Sequence, residues 1–124
     1  QWDDHEVMNN WFFEKDLTAD NRYREKDMRK LIARAAQAFH EYAPIRPNPA
    51  EPQRVYRSFS QGPLLDVFVL DCRSYRGPNT YNRQETLSRE SAYLGDAQIR
   101  WLQDSLRRST ATWKVIACDM PIGL

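Results

Sequence analysis

Leu64-Leu65-Asp66-Val67-Phe68-Val69-Leu70 is apolar at every position but Asp66. An uninterrupted run of this length, rich in valine, fits a central strand covered on both faces. Gln61-Gly62-Pro63 ahead of it reads as a turn, and Arg54 to Phe59 alternates loosely enough to be an outer strand. Beyond the run, Asp71-Cys72-Arg73-Ser74-Tyr75-Arg76-Gly77-Pro78 opens a long polar loop that lasts to about residue 93. Long loops at the ends of buried strands commonly contact ligands. Leu94-Gly95-Asp96 then starts a helix. Asp96 is its expected cap, Ile99, Leu102 and Leu106 its buried stripe, and Arg107-Arg108 suit its negative end. Trp113-Lys114-Val115-Ile116-Ala117-Cys118 reads as a second buried strand. Strand, helix, strand from 65 to 118 predicts a right-handed crossover with parallel strands. Asp71, Arg73, Asp119 and Pro121 then share one sheet edge, where open α/β sheets bind ligands.

Upstream, Met28, Leu31, Ile32, Ala35, Ala36, Phe39 and Tyr42 recur at helical spacing. They predict an amphipathic helix of about four turns. Asp20 or Asn21 is the expected N-cap, Glu25 and Asp27 favour the positive end, and Pro44 stops the helix. Pro44, Pro47, Pro49 and Pro52 make an extended connector. The order is helix, strand, strand, helix, strand. A chain of 124 residues allows one modest domain, and no internal boundary is visible in it. The net charge of +1 argues against a bulk electrostatic grip on nucleic acid. No apolar run approaches the roughly 20 residues that span a bilayer. Neither a basic nor an apolar signal region is visible at the start, although that start looks cut. Cys72 and Cys118 each follow a strand and read as buried free thiols, with a disulfide open to them if the strands are neighbours. Trp101, Trp113 and Tyr93 read as packing residues, and His40 as a boundary residue of the first helix.

The densest group of ligand atoms is Trp2-Asp3-Asp4-His5-Glu6-Val7-Met8-Asn9-Asn10-Trp11. Carboxylate and amide oxygens suit hard cations, and a carboxylate–imidazole mix also suits iron. Asp3, Asp4 and Asn9 are candidate metal contacts. His5 could ligate, or donate a proton to a leaving alkoxide. On composition alone, a solvated acidic turn capping a helix through Val7 to Trp11 is the commoner use of such residues. Arg73 or Arg76 could fork onto a phosphoryl group. An Asp–Arg pair locking the loop is the plainer reading of Asp71. Asp119 is either a strand-end ligand or a turn former.

Three blocks, taken together and in order, resemble PhoD-type alkaline phosphatases. They are Trp2 to Val7 with Asn9-Asn10, Phe68 to Arg76, and Leu94 to Gln98 with Trp101-Leu102 and Ala111 to Ile116. The resemblance spans about residues 1–124. It implies the calcineurin-like metallophosphatase fold, two sheets packed face to face with helices outside. The expected fold class is therefore α/β, part of an α/β/β/α sandwich, with a partial sheet and flanking helices here. The resemblance also implies hydrolysis of phosphate mono- or diesters, a cluster of calcium and iron, and export of the parent protein. Carried onto this sequence, Asp4 and Asn9 are the principal metal contacts and Asp3 a ligand or its support. His5 takes the leaving-group position.

The family also uses an Asp-x-x-Tyr element and a cysteine ahead of the acidic motif, and a Gly-Asp-x-His element after these blocks. Only Gln1 precedes Trp2, and no Gly-Asp-x-His occurs. The chain thus reads as the middle of a larger enzyme, impaired alone and prone to self-association through uncovered strands. Its acidic motif is expected to be loosely ordered and without metal in this chain. The alternative is an α/β interaction module that kept the blocks but lost the chemistry.

Overall fold

A computed structural model describes residues 1–81 and 83–120. The elements follow the expected order: α1 Met28–Tyr42, β1 Arg57–Gln61, β2 Leu65–Val69, α2 Asp96–Arg108 and β3 Trp113–Ala117. The three strands form one mixed sheet in the order β1-β2-β3. β1 runs antiparallel to β2, with Phe59 opposite Val67. β3 runs parallel to β2, with Val69 opposite Ala117. The tight turn between β1 and β2 depends on Gly62, whose φ of +62° lies in the left-handed region that glycine enters without steric cost.

The main apolar cluster is not on the sheet. It forms between α1 and the irregular N-terminal segment, from Trp2, Met8, Trp11, Leu17, Met28, Ile32, Ala36 and Val55. Met28, Ile32 and Ala36 lie four residues apart on one face of α1, so each turn delivers one side chain to the cluster. Trp2 meets Trp11 edge-on at 5.4 Å between ring centroids and Phe39 at 5.7 Å. Full burial of a large apolar side chain stabilises by about 1.5–3 kcal/mol, so this segment is anchored rather than loosely ordered. No helix forms over 7–11.

Several local expectations shift. Asp27, not Asp20 or Asn21, caps α1: its carboxylate accepts from the Arg29 N–H at 3.0 Å. Asp20 is occupied within its own turn, where it accepts from the Arg22 backbone and guanidinium. Gly95, not Asp96, occupies the cap position of α2 and offers no side-chain bond; Asp96 lies in the first turn. The face of α2 turned inward carries Gln98, while Ile99 is exposed and Leu102 and Leu106 are half-buried. β2 is central as expected, but only Phe68 and Val69 are fully buried. β3 departs most, because it is an edge strand with Trp113, Val115 and Ile116 exposed. Its apolar run does form a strand, but the second layer needed to bury it is absent among the described residues. Trp113 is therefore not a packing residue here, whereas half-buried Trp101 packs on Tyr56 at 4.9 Å between centroids.

Candidate active site

The sheet edge at the C-terminal ends of β2 and β3 meets the N-terminal acidic turn. Asp71, which follows β2, is fully buried and collects the bonds that join them. Its Oδ1 accepts from Trp2 Nε1 at 3.0 Å and from the backbone N–H groups of Arg73 at 3.0 Å and Ser74 at 2.9 Å. Its Oδ2 accepts from the Ser74 hydroxyl at 2.6 Å. Asp71 thus locks the loop, in line with its plainer reading, but through Trp2, Ser74 and backbone donors rather than an arginine side chain. Gln98 holds the same turn from α2, accepting from the Asp71 N–H at 2.8 Å and donating to the Asp71 carbonyl at 2.9 Å.

Arg73 lies within this junction with its side chain only 3% exposed. Its Nε and Nη2 donate to Asp3 Oδ1 at 2.9 and 2.7 Å. Asp4 lies 3.8 Å and Asp119 3.9 Å from the same guanidinium. Its fork is therefore committed to carboxylates, and a phosphoryl group would have to displace Asp3 to reach it. Arg76 stands over the Tyr93 ring instead, 5.7 Å from its centroid. Burial pushes the Asp3 carboxyl upward, but the hydrogen bonds and charge of Arg73 outweigh it and hold Asp3 below the ordinary carboxylate value. Asp119 moves the other way, raised first by burial and then by the neighbouring Asp3 carboxyl. No N–H or hydroxyl reaches either of its buried oxygens.

The acidic turn itself is closed by Asp4, whose carbonyl accepts from Val7 and Met8 at 3.0 and 2.8 Å. Asp4 Oδ2 accepts from the Asn10 N–H at 2.7 Å. Asn10 makes that bond at a φ of +52°, a conformation asparagine tolerates better than most residues. Lys15 donates to the Asn9 carbonyl at 2.7 Å and Asn79 to the Asn10 carbonyl at 2.9 Å, pinning the turn from outside. His5 Nε2 stands 3.2 Å from Asn9 Oδ1 and 3.8 Å from Asp4 Oδ1. His5 thus stands exposed between Asn9 and the buried carboxylate of Asp4, while the half-exposed Asp3 pairs with Arg73. The donor set of Asp4 and Asn9 fits a cation that prefers oxygen ligands. Asp3 gives its Oδ1 to the guanidinium, the supporting half of its expected role.

A second donor group lies behind. Cys72, Cys118 and Asp119 place one ligand atom each within 4.8 Å of one another. Both thiols are free, Cys72 fully buried and Cys118 half-buried. Pro121, expected on this edge, lies outside the described residues. Trp2 and Gln98 were not anticipated as site residues. No local signal marks them, since each acts on a partner far along the chain. The approach of the two thiols follows from the expected crossover, because parallel strands bring both strand ends to the same edge.

Comparison with known proteins places this geometry. The chain is 36% identical over 131 residues to alkaline phosphatase D of Bacillus subtilis (strain 168), covering 94% of this chain and 21% of that protein. It superposes on a solved structure titled "Structure of PhoD" with a TM-score of 0.66 and 33% identity, covering 94% of this chain and 23% of that one. The chain therefore spans about a fifth of the relatives it matches. The sequence profile of the PhoD-like phosphatases matches residues 1–124, and the chain belongs to that family.

Proposed function

We propose that this chain supplies the acidic arm of a larger metal-dependent enzyme that hydrolyses phosphate mono- or diesters. The observation that carries the reading is the placement of His5 Nε2 beside both Asn9 Oδ1 and the buried Asp4 Oδ1, next to a junction locked by Asp71 and Arg73. Family membership supports the reaction class. Asp4 and Asn9 would hold a cation of the calcium or iron kind. The chemistry such an ion supplies is polarisation of the phosphoryl oxygens and acidification of water. His5 would keep a proton on Nε2, within reach of a departing alkoxide; general-acid help of this kind is worth about 10²–10⁴-fold. Arg73 would act as a positioning residue, fixing Asp3 and through it the turn that carries Asp4.

The test uses the full-length protein that carries this chain. Asp4→Ala and Asn9→Ala should lose bound metal and turnover of a chromogenic phosphate ester together. Normal metal content and turnover in both variants would overturn the cation assignment. His5→Asn should lower kcat with metal content unchanged, and most for esters with poor leaving groups. A uniform loss across leaving groups would remove His5 from the proton-donor role. Running a monoester and a diester side by side decides which substrate class is preferred.

A further inference from the structure

We propose that Cys72, Cys118 and Asp119 form a binding site for a thiophilic divalent cation of the zinc class, separate from the Asp4–Asn9 group. Cys72 and Cys118 follow two strands that pair in parallel, Val69 beside Ala117, so both thiols emerge at one edge. Their sulfurs stand 3.3 Å apart. Two thiolates on one tetrahedral zinc, with bonds of about 2.3 Å, lie roughly 3.8 Å apart. The pair therefore has to open by only about half an ångström to accept the ion. Asp119 supplies the third donor from a side chain that is 5% exposed, and neither of its oxygens has an N–H or hydroxyl partner. The Met120 carbonyl, 3.1 Å from Cys118 Sγ, is a fourth oxygen beside the group.

Charge points the same way. The buried Asp4 and Asp119 and the half-exposed Asp3 gather round one buried guanidinium, so this corner carries more negative than positive charge. Buried negative charge of this kind needs protons or a cation. Burial, the first cause for both, pushes Asp119 and Cys72 toward holding their protons, which fits the proton-compensated state. A divalent ion would replace these protons, releasing to solvent one from each thiol and the one held by Asp119. Two thiolates, a carboxylate and a doubly charged cation leave one negative charge beside Arg73, whose Nη1 is buried without a partner. Thiolate ligands select zinc-like ions over calcium or magnesium, so the two donor groups would take different metals.

The test titrates the fully reduced chain with Co²⁺ as an optical probe for zinc. A sulfur-to-cobalt charge-transfer absorption should appear, saturate at one ion per chain, and vanish on adding Zn²⁺. Cys72→Ser and Cys118→Ser should each remove at least half of it. Asp119→Asn should keep the thiolate absorption but weaken binding at least about tenfold. Because the thiols are 46 residues apart, guanidinium unfolding should abolish tight binding. The absorption is read on this chain without any phosphate ester, which separates failure here from failure of the phosphatase reading. Circular dichroism of each variant checks the fold, and if Cys72→Ser does not fold, half-buried Cys118 and Asp119 decide the matter. The proposal is overturned by no absorption in the wild-type chain or by undiminished absorption in Cys118→Ser. It is equally overturned if the thiols prefer a two-electron oxidant such as oxidised glutathione, yielding a disulfide even with metal present.

Discussion

Replacing Trp2 with Phe and Asp71 with Ala, singly and together, tests whether one buried bond fixes the acidic turn to the sheet. Trp2 Nε1 donates to Asp71 Oδ1 at 3.0 Å inside the core. A hydrogen bond to a charged group contributes about 1.5–3 kcal/mol. Phenylalanine keeps most of the ring but loses that bond and some volume. The single change should therefore cost about 3 kcal/mol, roughly 2 for the bond and roughly 1 for packing. Asp71→Ala strands three buried N–H donors, those of Trp2, Arg73 and Ser74. Each unsatisfied group costs about 1–3 kcal/mol, partly offset because a carboxylate is no longer buried, so about 4 kcal/mol is expected. With the Asp71 carboxylate already gone, Trp2→Phe loses about 1 kcal/mol of packing, and removal of the stranded indole N–H offsets part of that, so about 1 kcal/mol is an upper bound. The double-mutant cycle should thus return a coupling of at least about 2 kcal/mol. Urea unfolding followed by far-ultraviolet circular dichroism reads it directly. At a slope of about 1.5 kcal/mol per molar, Trp2→Phe should lower the midpoint by about 2 M in the native background. In the Asp71→Ala background the same change should lower it by at most about 0.7 M. Equal shifts in both backgrounds, a coupling below about 0.5 kcal/mol, would show that the bond does not hold the turn.

Gly95→Ala should destabilise by about 1–2 kcal/mol, because φ is +76° and the new Cβ would stand 3.0 Å from Tyr75 Cβ; a melting temperature within a degree of wild type would contradict this. Hydrogen bonds from Ser109 and then Ser60 hold the Asp66 carboxyl below 3.8. A depressed carboxyl contributes stability that is present above its unfolded value and lost as pH falls through the folded one. Stability should therefore decline below about pH 4, and less steeply in Asp66→Asn; identical acid profiles would remove Asp66 from the account. β3 exposes Trp113, Val115 and Ile116 on an unpaired edge, so the isolated chain should self-associate with rising concentration in sedimentation velocity. Val115→Lys should suppress that association, and a wild-type chain that stays monomeric at high concentration would refute the edge argument.

The elements were legible because periodicity is local. Met28, Ile32 and Ala36 announce α1, and the valines of 65–69 announce β2, whatever the rest of the chain does. Burial was less legible, because it depends on what lies opposite. Trp113 to Ile116 has the composition of a buried strand and lies at an open edge. Ile99 and Gln98 exchange the roles that hydropathy assigns them, because the buried Asp71 backbone needs the two bonds that Gln98 provides. The acidic motif was visible as a cluster of ligands. The inward turn of Asp3 was not, since the residue that captures it, Arg73, lies 70 positions on.

That long-range capture fixes how the site is held. Two bonds join the N-terminal turn to the end of β2: Trp2 to Asp71 across 69 positions, and Arg73 to Asp3 across 70. The turn therefore ties Trp2 and Asp3 to the residues after β2 and leaves His5 exposed beside the buried Asp4. The carboxylate at position 3 gives one oxygen to both guanidinium nitrogens. The one at position 4, with Oδ2 on the Asn10 N–H and Oδ1 beside His5, keeps an oxygen to offer. Arg73→Lys would leave a point charge where a planar fork now grips Asp3 through two nitrogens. It should loosen the turn and weaken the proposed Asp4–Asn9 cation site in the full-length protein without removing any ligand, by roughly the 10–100-fold typical of supporting contacts. Calorimetric metal titration of that variant would show it, and affinity equal to wild type would mean that Asp4 is held by its own turn alone.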